Sequence, residues 1–415
     1  MFRKFWLDVI FGTAFIFGLM GMFRSVTAFS VFDVFDPVGD ALGDFDITDI
    51  VFSQFREAPI ADENILLVNI GNLDRAGIAG LIEIINQHDP AVIGIDSFFD
   101  FPKEDTLGDM MLADALSKVE NLILVNKLIQ NPETEVFDSI HYSWEFFNQY
   151  TTAPAFANLV TDAQEQADLK QCRSFVPKME VNGETQIAFA IRMAAHVDSA
   201  AAAEFLARPY EEELVNFKGN VMDFGATKFG TAFFALDWMD VYNENFFPEL
   251  ITDKIVMFCF LGNELGDRKT FEDKFITPLN AQYAGRTLPD MFGGVIHANI
   301  ISSILNRDYV NYMSETTGII VGILMCLINV IAFTYIYKRL PRWYDGITKL
   351  IQLMELGLVY ALMIYVFNLF NFKLDLAVGM IAVALAGDSL EVYHGVVKNI
   401  FSRKGRKQLF KAEKL

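Results

Sequence analysis

Four apolar stretches and their spacing constrain this chain more than any other feature. One lies at the extreme N-terminus, Phe5 to Phe23. Three crowd together far downstream: Gly318 to Tyr337, Leu350 to Phe370 and Leu374 to Tyr393. Each comes close to the roughly 20 residues a helix needs to cross the hydrocarbon core of a bilayer. Backbone polar groups in lipid must find their partners internally, so each stretch is expected as a transmembrane α-helix. The polar segment between them, 24–316, is long enough to fold around its own core. The expected organisation is an N-terminal transmembrane anchor (1–23), a folded domain (24–316), a three-helix transmembrane bundle (317–397) and a basic cytoplasmic tail (398–415).

Charge orients this plan. Lys and Arg beside short loops are retained on the cytoplasmic side. Arg3 and Lys4 precede the first stretch, Lys338, Arg339, Arg342 and Lys349 flank the turn between the second and third, and Lys398 to Lys414 carries seven basic residues. All three clusters fall on one side if all four stretches cross, which places both termini in the cytoplasm and the large domain outside. The formal net charge of −20 conceals a division, because 24–316 holds 46 acidic against 19 basic side chains. Such a surface repels phosphate backbones, so no nucleic-acid partner is expected. Val26-Thr27-Ala28 could follow a cleaved signal peptide, but Asp8 interrupts the apolar region, and an uncleaved anchor is expected. Cys326 lies in a span, Cys259 in an apolar run and Cys172 in a polar segment. Three cysteines make no disulfide framework, although a Cys172–Cys259 bridge is one option.

The domain reads as α/β with a mainly parallel sheet. Asn64 to Ile70 fits a buried strand, and Asn72 to His88 places Ile78, Leu81, Ile82 and Ile85 on one helical face. Ala91 to Asp96 is a second buried strand, Thr106 to Val119 a helix, and Asn121 to Asn126 a third strand. Alternation of this kind builds right-handed crossovers, and open α/β sheets bind ligands at the C-terminal ends of their strands. Gln130 to Leu250 is less regular. It holds an alanine-rich helix, Ile187 to Phe205, and aromatic stretches at Phe233 to Trp238 and Tyr242 to Phe247, expected as an elaboration covering the sheet. The 40 phenylalanines are expected in core and membrane packing rather than in a ligand cage.

Farther along, the strand Lys254 to Gly262 leads into Gly266-Asp267-Arg268. Thr277-Pro278-Leu279 and Gly294-Val295-Ile296-His297-Ala298-Asn299 follow. With Gly94-Ile95-Asp96-Ser97-Phe98-Phe99 upstream, this order resembles the type-two CHASE domain, a family of extracytoplasmic sensory domains of bacterial membrane receptors. The resemblance covers about residues 40 to 315, Asp44 to Arg56 being similar to the family's linker. It implies one span before the domain and three after it, as charge does independently, in a bacterial cytoplasmic membrane. Two departures stand out. The first strand ends Asn69-Ile70-Gly71 where relatives carry Ala-Ile-Asp. Relatives also continue into a cyclase, kinase or related output, whereas 398–415 is short, so the expectation is a receptor without built-in output.

Asp96, Asp267, Arg268, Thr277, His297 and Asn299 are the candidate ligand-binding residues. Asp96 follows a strand on the edge expected to face a crevice. Asp267 and Arg268 sit in a turn that Gly262 and Gly266 permit. His297 and Asn299 begin a helix whose amides favour an anion. The alternative is scaffolding, with an Asp–Arg ion pair and His297 bonded to a loop carbonyl. None of the five histidines is paired at a helical zinc spacing, and no nucleophile elbow, phosphate loop or calcium loop occurs. Neither an enzyme, a metal nor a cofactor is expected.

In the membrane, Gly318 with Gly322 and Ala14 with Gly18 make small-xxx-small steps for close packing. Glu355, Asp388 and Glu391 are carboxylates in or near spans, where they serve at interfaces, dock a partner or carry protons. The function expected is sensing of a ligand or envelope component, reported through a membrane partner or homo-oligomer. The alternative is a structural subunit of a multiprotein envelope complex.

Overall fold

The computed structural model describes residues 2–25, 47–58, 60–134, 136–161, 170–221, 231–280 and 288–398. The expected linker falls partly outside them, and so does the basic tail beyond Lys398. The chain divides into two compact units, Asp44–Val310 and the pair of segments Met1–Gly43 and Asn311–Leu415.

The first unit is an α/β domain. Strand β1 (Asp62–Asn69) leads through helix α1 (Arg75–Asn86) to β2 (Val92–Ile95), then through α2 (Thr106–Ser117) to β3 (Leu122–Gln130). Asp74 and Asp105 cap the two helices by accepting hydrogen bonds from Gly77 and Leu107. Strand β4 (Phe137–His141) runs antiparallel beside β3, while the short β5 (Ala155–Phe156) pairs with β3 in parallel. Strands β6 (Phe233–Leu236) and β7 (Ile255–Cys259) complete a sheet ordered β6-β1-β7-β2-β3-β4, all parallel except the β3–β4 pair.

Alternation along the strands sorts side chains between two faces. Leu66, Val68, Ile93, Ile95, Leu122, Leu124, Val256 and Phe258 share one core with Ile78, Leu81 and Ile82 of α1 and Leu112 and Leu116 of α2. The other face meets α3 (Phe189–Val197) and α5 (Gly293–Asn306). Coverage of both faces explains why the strands read as continuous apolar runs.

Two expectations are corrected. Phe233–Leu236 does not cover the sheet; it is an edge strand, parallel to β1. The alanine-rich stretch is two helices, α3 and α4 (Ser199–Leu206). Asp198 leaves helical geometry between them and caps the second through Ala201 N–H. The cysteines are buried thiols, and the Cys172–Cys259 bridge is not formed.

Among the described residues, the second unit has four helices long and apolar enough to cross a membrane, with candidate spans Lys4–Met22, Glu315–Arg339, Pro341–Phe370 and Ala377–Val397. The second and fourth pack closely. A Cβ placed on Gly322 would stand 3.0 Å from the Gly379 nitrogen, and one on Gly318 would stand 2.7 Å from the Asp375 carbonyl oxygen. These glycines thus serve packing within the chain. Polar side chains join the remaining helices. Asn329 donates to Glu355 (2.9 Å), Gln352 donates to the Val383 carbonyl (2.7 Å), and the Tyr344 hydroxyl donates to the Gly387 carbonyl (2.8 Å). Lys349 donates to Asp388 at 2.6 Å, while Glu391 is exposed.

Basic groups collect at one end of this unit. Lys338, closing the second helix, and Lys398, beyond the fourth, both donate to Asp8 of the first helix, at 2.9 and 2.6 Å. At the opposite end, Asn311 and Tyr312 pair with Phe372 and Lys373 in the link between the third and fourth helices.

Candidate functional site

The C-terminal ends of β2 and β5 and the middle of β3 border a crevice of about 420 Å³. Asp96 follows β2, Asn126 lies within β3, and Ala157 and Asn158 follow β5. Asp273, just ahead of β8 (Lys274–Ile276), and His297 of α5 also line it, as do Phe98 and Phe275. Lys127 is exposed, and Lys170 is half-buried with its ammonium 5.5 Å from the Phe275 ring centre.

Close packing explains the residue pattern around the crevice. A Cβ on Gly94 would come 2.5 Å from the Met193 sulfur and 2.7 Å from Phe189, so glycine lets α3 lie against the sheet. Asp96, two residues on, then faces the crevice, and Phe99 turns into the core. A Cβ on Gly294 would come 2.5 Å from the Cys259 sulfur, and one on Gly293 3.0 Å from the Asp273 carboxylate. Glycine at both positions draws the start of α5 against β7 and against Asp273. Both carboxylates are driven upward. Burial raises Asp96, and burial together with the Asp96 charge raises Asp273. Burial also lowers the His297 imidazole to about 4, so the ring is neutral at pH 7.

Two side chains in the walls bury polar atoms that have no hydrogen-bond partner, although the His297 ring is also held by a hydrogen bond to the Ala157 backbone. Asn126 is 1% exposed, and neither its oxygen nor its nitrogen is bonded; His297 is 3% exposed, and its Nδ1 is unbonded. Leaving such groups unbonded costs about 1–3 kcal/mol each, so their place in the cavity lining suits a polar occupant that draws them out. A larger cleft of about 780 Å³ opens beside Gly71, Arg75 and Phe99. Its buried charge, Arg75, is already paired with Asp109, so chemistry favours the smaller crevice over size.

Of the residues singled out in the sequence, Asp96 and His297 line this crevice together. Thr277 gives its N–H and hydroxyl to the fully buried Asp290, at 2.8 and 2.7 Å. Asn299 accepts from Lys218 N–H at 2.7 Å and donates to the Gly219 and Val295 carbonyls. Asp267 and Arg268 occupy a turn outside the crevice lining. The hydroxyl of Thr270 and the N–H of Lys269 hold the Asp267 carboxyl down to about 2. Asn126, Asp273 and Lys170 escaped the sequence reading. Asn126 carried a signal, since it stands at the polar end of a buried apolar run as Asp96 does.

Stability should fall as pH rises from about 4 to 8. Asp290 is raised to about 7 by burial, against its own hydrogen bonds, and Asp96 and Asp273 move the same way. Raised carboxyls make the folded state hold protons that the unfolded state releases above about pH 4, so their contribution is present below that value and lost through the folded values. His297 works oppositely, its contribution fading as pH falls from about 6.5 through 4. The full-length protein in detergent should therefore have its highest Tm near pH 4 and lose about 5–10 °C by pH 8. A flat profile, or one rising toward pH 8, would show that these carboxyls are not held in their neutral form.

Comparison with known proteins agrees with this architecture. The family model described as the CHASE2 domain matches residues 40–331. No curated protein and no solved structure matches the chain.

Proposed function

This chain belongs to the CHASE2 domain family of extracytoplasmic sensory domains, and on that premise we propose that it is an integral membrane receptor. Its α/β domain binds a small ligand or envelope component in the crevice beside Asp96, and the bound state is passed to a partner at the helical unit. One observation carries this reading: Asn126 and His297 keep three polar atoms buried and unbonded around an open cavity. Binding rather than turnover is the activity proposed.

The orientation proposed follows charge. Lys338, Lys349 and Lys398 lie toward one end of the four helices, with Arg339 and Arg342 in the same turn region. That end would face the cytoplasm of a bacterial inner membrane, with both termini there and the domain outside.

Thermal shift of the full-length protein against a small-molecule extract of the cell envelope tests the reading. The extract should raise Tm by at least a few degrees, and Asn126→Leu should abolish that rise while keeping the unliganded Tm. A second reading, docking within an envelope complex, draws on one feature. Helix α2 exposes Leu107, Met110 and Met111, which share a helical face, beside Phe101, which is 73% exposed. No thermal shift, with a partner in fixed stoichiometry that is lost on Met110→Glu, would favour docking.

A further inference from the structure

We infer that the crevice takes a small zwitterionic primary amine of the α-amino-acid class, its ammonium seated between Asp96 and Asp273 and its carboxylate turned outward to Lys127 and Lys170. This rests on the reading of the crevice as a ligand site and names the chemistry that fills it.

The argument starts from the distribution of charge across one small cavity. Its walls carry two carboxylates, Asp96 and Asp273, near enough that the charge on one opposes ionisation of the other. Two lysines line the same cavity. Two carboxylates that resist ionisation together are relieved by a cation between them, which replaces the proton they otherwise retain. Among the described residues, no three His, Cys, Asp or Glu side chains are grouped to hold a metal ion. That favours an ammonium over a divalent ion. An ammonium has three donors and no acceptor. Asp96 and Asp273 take two of them, and the buried, unbonded Asn126 oxygen or the His297 Nδ1 lone pair accepts the third once the side chain turns toward the ligand.

The His297 imidazole is suited to this task because it is neutral and therefore does not repel a cation. Phe189 meets its ring edge-on, with centres 5.4 Å apart, and holds its plane. The unbonded Asn126 nitrogen can donate to a polar side chain or to the ligand carboxylate. A cavity of about 420 Å³ suits a compact molecule and lies near the lower limit for small-molecule sites, about 300 Å³. Other charged or titratable groups influence the pair. Cys259 lies close enough to feel both carboxylates, and Glu272 and Lys170 act on Asp273.

The test uses the full-length protein in detergent, with calorimetry and thermal shift. The probes are the twenty common L-amino acids, the hydroxy-acid counterpart of each one that binds (L-lactate for alanine), ethanolamine, and magnesium and calcium chloride. At least one amino acid should bind saturably. Its hydroxy-acid counterpart should bind at least about tenfold more weakly, as should the Asp96→Asn protein with the same amino acid. Affinity for the amino acid should also rise from pH 5.5 to 8, because the pair must ionise to receive the ammonium. Lys170→Met should weaken amino acids but leave ethanolamine unaffected. Equal binding of amino acid and hydroxy acid would overturn the proposal, as would tighter binding of a divalent ion. Silence from every probe would overturn the amine class as well. If the envelope extract still gave a shift that Asn126→Leu removes, the crevice would remain a ligand site for another chemistry; without that shift, both readings would fall.

Discussion

Replacing Arg75 with alanine should destabilise the α/β domain by about 3–5 kcal/mol, the range for removing one partner of a buried ion pair. Arg75 opens α1 and is 8% exposed, and its guanidinium meets Asp109 of α2, itself 3% exposed, at 2.5 Å. The other Asp109 oxygen accepts the Lys103 N–H at 3.0 Å. One pair therefore ties the two helices on this face of the sheet to the loop that enters α2. Burial pushes the Asp109 carboxyl up, but the hydrogen bonds from Arg75 and Lys103 more than reverse it, leaving it below the ordinary range. Arg75 also lies over the Phe147 ring, 5.0 Å from its centre, so alanine removes packing as well as charge. The expected fall in Tm of the full-length protein is about 10 °C at pH 7. Acidification should recover part of it in the variant alone, because Asp109 without its partner can be neutralised. A double variant, Arg75→Met with Asp109→Leu, should lose much less, since hydrophobic replacement of a buried pair is often close to neutral. Equal losses in the single and double variants would mean that packing, rather than the stranded charge, sets the effect.

The pair lies 34 residues apart in sequence, which shows why some of this fold is legible in the chain and some is not. Strands β1, β2, β3 and β7 announce themselves as short apolar runs because a parallel sheet covered on both faces leaves no strand a wet side. Helices α1 and α2 announce themselves through apolar spacing. Strand β6 does not, since Phe233 to Leu236 is an edge strand of four residues among other aromatics, and only its pairing with β1 defines it. The candidate site divides in the same way. Asp96 and His297 can be found because each stands in a compact local pattern around glycines that permit close approach. Asp273 cannot, because its place in the same crevice as Asp96 is set by how the start of α5 packs against the sheet and against Asp273. Thr277 and Asn299 belong to similar patterns but spend their hydrogen bonds on Asp290 and on the Lys218–Gly219 backbone. A motif thus mixes residues that face a cavity with residues that hold the walls around it, and spacing alone does not separate them.

Asp8 should be the most sensitive single position among the four long helices. In the sequence it reads as a polar break in the first apolar stretch; in the fold its carboxylate is 8% exposed between Lys338 and Lys398. Three helical segments therefore converge on one buried charge. Alanine here would leave two ammonium groups facing each other with no anion between them, which is worse than an empty site. Charges near a bilayer are retained when paired, and the two lysines, 41% and 44% exposed, lose the one carboxylate that both share. Asp8→Ala should thus lower the midpoint of sodium dodecyl sulfate unfolding, followed by helical circular dichroism, far more than Lys398→Ala. The asymmetry is diagnostic: Lys338 keeps Asp8 neutralised when Lys398 is removed, whereas among the described residues Asp8 is the carboxylate both lysines bond. Lys338→Met added to Asp8→Ala should restore part of the loss by removing the repulsion. If Lys398→Ala proved as damaging as Asp8→Ala, the triad would have to be read as two independent clasps, one per lysine, rather than as a single anion shared by both.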